Sequence, residues 1–394
     1  MPISRRPRFI ALLACCALVP LVAACDGPAA TSGSSGHHAA DRQGDRRSGG
    51  PGVRHRSFAH PSGYAQTAHM RAGPNLQPGS QPSVLPSDVL IADRNDNRLV
   101  VVNPSGTVIW QFPDRGDLAA GQTFKTPDDA FFTPNGKDII VTEEDDYVIS
   151  EVSLATDHIV WQYGHPGVPG SGPGFLDNPD DAMMLPDGDV VLADIKNCRL
   201  VVLRPPAQAP VEVIGVPGDC GHAPPTGWGS PNGVFPLLTG NWVVTEINGD
   251  WVDGFDLANK QVLWSTNPPG VAYPSDTNQV ANGVYITADY SNPGQVVEFS
   301  STGQLVWRYA PTGAQTLDQP SLALPLPNGD VLLNDDWNHR VIVVDPKTDQ
   351  IVWQYGHTGV PGDGPGFLYK PDGVDLVPPY ALDIVHKSAM KGPS

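Results

Sequence analysis

From Asp88 onward the chain is written in short apolar runs. Val89-Leu90-Ile91-Ala92-Asp93, Arg98-Leu99-Val100-Val101-Val102 and Val108-Ile109-Trp110-Gln111 are each four or five residues long. Polar turn residues separate them, which predicts consecutive β-strands rather than helices. The pattern then recurs. Thr126-Pro127-Asp128-Asp129-Ala130 and Asn178-Pro179-Asp180-Asp181-Ala182 open two copies. Ser230-Pro231-Asn232-Gly233, Tyr273-Pro274-Ser275-Asp276, Gln319-Pro320-Ser321 and Lys370-Pro371-Asp372-Gly373 open four more. Each full copy continues with a short apolar strand, a Gly or Asn turn and a β-branched strand ending in Asp or Glu. A third strand follows, then a fourth that usually carries Trp. Such a unit cannot bury its own faces, so copies must stack.

The fourth-strand tryptophans are Trp110, Trp161, Trp264, Trp307 and Trp353, spaced by 51, 103, 43 and 46 residues. The long gap holds one copy whose fourth strand lacks Trp and reads Val211-Glu212-Val213-Ile214. The mean step of about 49 residues suits four strands and their turns, one blade of a propeller. Residues 88–379 divide into six such units. The first has only three strands, and its missing inner strand stands at the other end as Pro371-Asp372-Gly373-Val374-Asp375-Leu376-Val377. An all-β, six-bladed β-propeller with 1+3 closure by the C-terminal strand leaves no open edge between the chain ends.

The N-terminus changes the picture of where the protein works. Arg5, Arg6 and Arg8 precede an apolar run, Phe9 to Ala24, too short and too interrupted by Pro20 to span a bilayer. Residues 1–24 read as a signal peptide, and Val22-Ala23-Ala24-Cys25 resembles a bacterial lipobox that would lipidate Cys25. The expected product is a cell-envelope lipoprotein held to the membrane through Cys25. Residues 25–87, rich in Gly, Ser, Pro, His and Arg, read as a disordered tether, and residues 380–394 as a short surface tail.

The net charge of −18 is unevenly divided. Before residue 88 there are nine Arg and three Asp; from there on, 39 acidic and 15 basic residues. A ring this acidic repels nucleic acid, and a monomer is expected. With Cys15, Cys16 and Cys25 assigned to the N-terminal segment, Cys198 and Cys220 remain. In an oxidising compartment they are expected to form a disulfide, the alternative being two free thiols.

In this architecture the second-to-third turns and the interblade connections share one face. The connections from Gly164 to Asn178, Val216 to Ser230 and Gly356 to Lys370 are long and rich in Gly and Pro, the kind of loop on which sites are built. Asp128, Asp129, Asp180, Asp181, Asn232, Asp276 and Asp372 all stand where an inner strand begins. Strand alternation predicts that one member of each adjacent Asp pair faces the channel. Either these side chains cap the turns into the strands, or they gather as oxygen ligands for a hard cation such as Ca²⁺. Trp228, Trp251, Tyr290 and Trp337 are candidate ligand-binding aromatics on the same face. His165, His222 and His357 lie in its loops, and would suit Zn²⁺ or act as a base if they met.

A second acidic set closes the second strands: Asp93, Glu143, Asp194, Glu246, Asp289 and Asp335. Asp93-Arg94-Asn95-Asp96-Asn97-Arg98, Asp194-Ile195-Lys196-Asn197-Cys198-Arg199 and Asp335-Asp336-Trp337-Asn338-His339-Arg340 resemble the NHL repeat. That likeness implies a six-bladed propeller in which the Asp and Arg hold loop and strand together. Asp345-Pro346-Lys347-Thr348-Asp349-Gln350-Ile351-Val352-Trp353 is similar to the quinoprotein-type repeat, which implies tryptophans that dock neighbouring blades. Six blades, and no adjacent-cysteine pair within them, argue against a bound quinone. Asn232 in Ser230-Pro231-Asn232-Gly233-Val234 is similar to the metal-ligand Asn of calcium-dependent six-bladed lactonases, and some NHL-type propellers are lyases. No Gly-x-Ser-x-Gly, His-Glu-x-x-His or phosphate loop is present. The expected function is a ligand-binding, partner-binding or scaffold propeller; the alternative is a Ca²⁺- or Zn²⁺-dependent hydrolase or lyase.

Overall fold

The computed structural model of the protein describes residues 75–237 and 239–390. The signal segment, Cys25 and the tether up to residue 74 lie outside the described residues. Six four-stranded antiparallel sheets form a β-propeller. Blade one joins Val89–Asp93, Arg98–Val102 and Val108–Phe112 to the C-terminal strand Pro371–Leu376, which takes the inner place, pairing Leu376 with Val89 and Val374 with Ile91. The 1+3 closure is as the repeat count predicts. The other inner strands are Pro127–Phe132, Pro179–Met184, Pro231–Pro236, Pro274–Ala281 and Ala323–Pro325. Each inner strand abuts the next around the ring, and blade six also meets the closing strand.

Side chains from facing sheets fill the gaps between blades. Trp110, Trp161 and Trp353 are buried there, and their indoles act as pegs. Trp110 Nε1 donates to Asp157 at 2.9 Å, Trp307 Nε1 to Asp349 at 3.1 Å and Trp353 Nε1 to the Pro104 carbonyl at 2.9 Å. Each of these three acceptors sits in the third-to-fourth-strand turn of the following blade, so Trp110, Trp307 and Trp353 each supply apolar area and one oriented hydrogen bond, whereas Trp161 supplies apolar area alone.

Both ends of the ring are more ordered than their composition suggests. Residues 75–87, expected as tether, run along the outer strand of blade six. Gln77 N donates to the Gln354 carbonyl at 3.1 Å and Gln81 N to the Val352 carbonyl at 2.8 Å. Leu85 is buried, with Leu76 and Val84 packed against the same cluster. The segment covers an exposed strand edge, and these three apolar residues are what a polar tether lacks. Beyond the closing strand, within the segment read as a short surface tail, Leu382–Met390 forms a helix. Ala381 and Val385 are buried against blade one, and His386 Nε2 lies 2.8 Å from Asp88.

Candidate functional site

The six strand-end acids do one job six times. Each accepts a backbone N–H from the residue or residues just before the inner strand of its own blade. The bonds are Tyr369 N to Asp93 (2.7 Å), Lys125 N to Glu143 (2.8 Å), Asp177 N to Asp194 (2.8 Å), Gly229 N to Glu246 (2.6 Å), Tyr273 N to Asp289 (3.1 Å) and Asp318 N to Asp335 (2.8 Å). In blades one, three and six an arginine opposite the acid completes the device. Arg98, Arg199 and Arg340 pair with Asp93, Asp194 and Asp335 at 2.6–2.8 Å. Their remaining N–H groups reach carbonyls of the long loops: Arg98 to Asp363 and Phe367, Arg199 to Ser171 and Phe175, Arg340 to Gln315. The repeat motif thus pins the interblade loops to the rigid sheet.

Burial raises Glu143, Asp194, Glu246 and Asp335 above the usual carboxylate range. It pushes Glu143 up to about 7, against hydrogen bonds from Ser150 and Lys125 N that pull it down. The folded protein therefore holds this proton more tightly than the unfolded chain does. Stability contributed by Glu143 is present below its ordinary value of 4.5 and is lost as pH rises to about 7. Denaturant midpoints measured across that window in chelator should fall with pH, and the slope should flatten in Glu143→Gln.

The inner strands break the alternation expected of them. Pairing register slips between Pro127 and Ala130, Pro179 and Ala182, Pro231 and Val234, and Pro274 and Thr277. These bulges fall on the Asp-rich blocks and re-aim their side chains. Both members of each Asp pair are buried, and they stand in different carboxylate groups, Asp129 and Asp181 in one, Asp128 and Asp180 in another. Asp129, Asp181 and Asp276, from blades two, three and five, converge with one oxygen from each within 4.8 Å of the others. All three are at most 2% exposed. Asp181 Oδ2 accepts Val234 N at 2.9 Å. Asp129 Oδ1, Asp181 Oδ1 and both Asp276 oxygens have no hydrogen-bond donor. Burial first, and the neighbouring carboxylates second, hold all three well above the usual carboxylate range. Two glycines make the room: a Cβ on Gly233 would lie 2.8 Å from Asp276 Oδ1, and one on Gly373 2.6 Å from Asp129 Oδ1. Ionised, such a set needs a cation; without one, the acids must share protons.

Asp128 and Asp180 join a different group with Glu144. Here a cation is built in. Arg94 pairs with Asp128, with Glu144 at 2.6 Å, with Asp145 at 2.8 Å and with Asp372 at 3.3 Å. Asn232, also a sequence candidate, is engaged by side chains: its Nδ2 donates to Ser275 at 3.2 Å and its Oδ1 accepts from Tyr273 Oη at 3.3 Å. Sequence reasoning missed Arg94 and Glu144 as parts of this site, although both directly follow a strand-end acid.

The aromatic candidates divide. Trp228 is fully buried, edge-on to Phe255 between blades three and four. It belongs to the core and is out of reach of a ligand. Trp337 is 42% exposed, its Nε1 is 3.4 Å from Tyr290 Oη, and Lys370 Nζ sits 3.1 Å over its ring. Tyr290 packs on Tyr273, whose hydroxyl reaches Asn232, so this patch touches the inner-strand block. Trp251 stacks on His222 at 4.2 Å. The histidines do not assemble as a set. His165 packs on Phe175 and His357 on Phe367, each at 4.1 Å. Among the described residues only His222 joins a group of ligating atoms. The Cys198–Cys220 disulfide forms, with Cα atoms 5.1 Å apart, and ties the His222 loop to blade three.

Comparison with known proteins supports the architecture. The family described as outer membrane protein assembly factor BamB, a PQQ-type repeat, matches residues 233–364, which span blades four to six. The chain carries quinoprotein-like propeller repeats. With the disulfide, they indicate an extracytoplasmic protein. No curated protein matches the chain. A protein of unknown function from Bacteroides caccae has a similar structure, at 14% identity and TM-score 0.51, covering 74% of this chain and 98% of that one. A catalytically inactive virginiamycin B lyase from Staphylococcus aureus with quinupristin gives 14% identity and TM-score 0.43, over 60% of this chain and 71% of that one. The WD40 propeller domain of Doa1 gives 13% and 0.44, over 72% and 84%. At 14% identity the likeness to the Bacteroides caccae protein is one of fold alone.

Proposed function

We propose that this chain is an exported, lipid-anchored binding or scaffold propeller whose loop-rich face is organised around a Ca²⁺-class cation held by Asp129, Asp181 and Asp276. One observation carries the reading: three carboxylates from three blades meet in a buried place with oxygens that no donor satisfies. The donor set is all oxygen, which suits a hard cation, and Gly233 and Gly373 keep side chains out of its space. The cation would lock three blades together from the inside. Above it, Trp337, Tyr290 and Trp251 offer aromatic surface to a partner or ligand, and Cys25 would hold the ring at a membrane. The alternative, a metal-dependent hydrolase or lyase, would draw on the one group among the described residues that joins a histidine to two acids, His222 with Glu246 and Asp253.

Metal analysis of the purified protein, and its thermal unfolding with Ca²⁺ and with chelator, test the reading. A cation at a thousand times its dissociation constant stabilises by about 4 kcal/mol, so chelator should lower the melting temperature by several degrees. Asp276→Asn should abolish the Ca²⁺ response. If the three acids share protons instead, Asp276→Asn relieves buried repulsion and raises the melting temperature, Ca²⁺ has no effect, and the cation is wrong.

A further inference from the structure

Blade four breaks the charge rule that the other motif-bearing blades obey. In blades one, three and six the strand-end acid faces an arginine across the ladder: Asp93 opposite Arg98, Asp194 opposite Arg199, Asp335 opposite Arg340. Two residues further along the third strand stand Val100, Val201 and Ile342, all aliphatic and buried. In blade four Glu246 faces Trp251, and the aliphatic place is taken by Asp253, opposite Val244. A buried pair of opposite charges has become two buried acids, both 0% exposed. Burying a second carboxylate there is costly unless something positive meets it.

The side chain that faces the two acids is His222. The disulfide at Cys220 anchors its loop, and Trp251, the residue that displaced the arginine, stacks on its ring at 4.2 Å with planes 8° apart. His222 Nδ1 lies 3.1 Å from Glu246 Oε1 and 3.9 Å from Asp253 Oδ2. Each acid spends its other oxygen on a fixing bond: Glu246 Oε2 accepts Gly229 N at 2.6 Å, and Asp253 Oδ1 accepts the Ser265 hydroxyl. Asp253 Oδ2 accepts from no N–H or hydroxyl group and lies 3.9 Å from the imidazole nitrogen. One nitrogen and two oxygens thus converge within 4.8 Å, each oriented by a second contact on its own side chain. The His222 side chain is 23% exposed, so the group is reachable from solvent on one side.

We propose that His222, Glu246 and Asp253 form a binding site for a Zn²⁺-class divalent transition metal, separate from the axial carboxylates, with its open side toward solvent. A nitrogen and two carboxylate oxygens suit Zn²⁺ or a neighbouring first-row ion better than Ca²⁺, which prefers oxygen alone. Three protein ligands with one side open is the arrangement in which a metal keeps a position for water or a ligand group. The site does not depend on the axial cation.

The test is Zn²⁺ titration of the metal-free, full-length protein by calorimetry, with excess Ca²⁺ present throughout, and Co²⁺ absorption as a second readout. One equivalent should bind to blade four, and Co²⁺ should show visible bands of a nitrogen- and oxygen-ligated ion. Asp253→Asn keeps the shape of the side chain and lowers the buried charge, so it should fold; it should weaken that equivalent by about tenfold or more. His222→Ala should do the same, while Asp276→Asn should leave it intact. Histidines in the N-terminal segment can also take Zn²⁺, and that fraction will not respond to Asp253→Asn. Zn²⁺ binding that is unchanged in both Asp253→Asn and His222→Ala, or absent from the wild type, overturns the proposal and leaves an ordinary histidine–carboxylate hydrogen bond. Failure of the axial Ca²⁺ reading would leave these results unaltered.

Discussion

A chain that ends at Lys370 is expected not to fold. The strand it loses, Pro371–Leu376, runs on from blade six and pairs with Val89–Asp93 as the inner strand of blade one, closing the ring by its hydrogen-bonded ladder. Without it Val89–Asp93 becomes an open edge of buried apolar residues at the centre of the molecule, a template for intermolecular pairing. Val374 and Val377 leave apolar gaps on either side; each fully buried valine is worth about 1.5–3 kcal/mol. Asp372 also goes, and with it one of the acids that neutralise Arg94. Together these losses rival the whole stability of an ordinary domain, about 5–15 kcal/mol. Size-exclusion chromatography and circular dichroism should find aggregate or unfolded chain. A chain ending at Pro379 removes the helix Leu382–Met390 but keeps the closing strand. It should remain a monomer with a cooperative transition at a lower temperature. If the chain ending at Lys370 unfolds like the full-length protein, closure by the C-terminal strand is not what holds the ring.

The ring was legible because two independent signals agree. The tryptophan period counts the blades, and the three-stranded first unit asks for the strand found after Lys370. Both depend on local pattern, which the fold preserves. The acids were legible in position, and the groups they join were not. Alternation holds for regular strands, and the inner strands open on a Pro whose preceding residue has a positive φ: 45° at Thr126, 52° at Asn178, 55° at Ser230. The bulge after it belongs to the pairing with the strand that follows, and no residue of the block alone spells it out. Trp228 looked like a face residue because it ends a Gly- and Pro-rich loop. Three residues before Pro231, the chain has already turned into the gap between blades, and the ring drops onto Phe255. Asp253 left a visible trace, an acid inside a strand whose counterparts are aliphatic. Its meaning depends on His222, which sits 31 residues earlier and reaches it only through the disulfide-held loop.

Replacing Arg340 by Met should cost about 3–5 kcal/mol, the penalty for leaving one member of a buried ion pair alone. Arg340 is 2% exposed and holds Asp335 Oδ2 through Nε at 2.8 Å and Nη2 at 2.7 Å. Its Nη1 reaches Thr358 at 3.1 Å and its Nη2 the Gln315 carbonyl at 3.2 Å. Methionine fills much of the same volume but satisfies none of these acceptors. Burial already raises Asp335, and Arg340 is the largest influence that opposes it. Without the arginine the acid takes up a proton in the folded state, so the loss should be smaller at mildly acidic than at neutral pH. Lysine should rescue little, since a single ammonium cannot reproduce the planar fork. The informative control is the double variant Arg340→Met, Asp335→Asn. Asparagine can still accept Asp318 N through its carbonyl oxygen and no longer carries a stranded charge, so it should recover a good part of the loss. Urea unfolding of the four proteins closes the cycle. A purely apolar role for Arg340 would make the two single variants additive, and a coupling near zero would remove the ion pair from the account of what holds blade six.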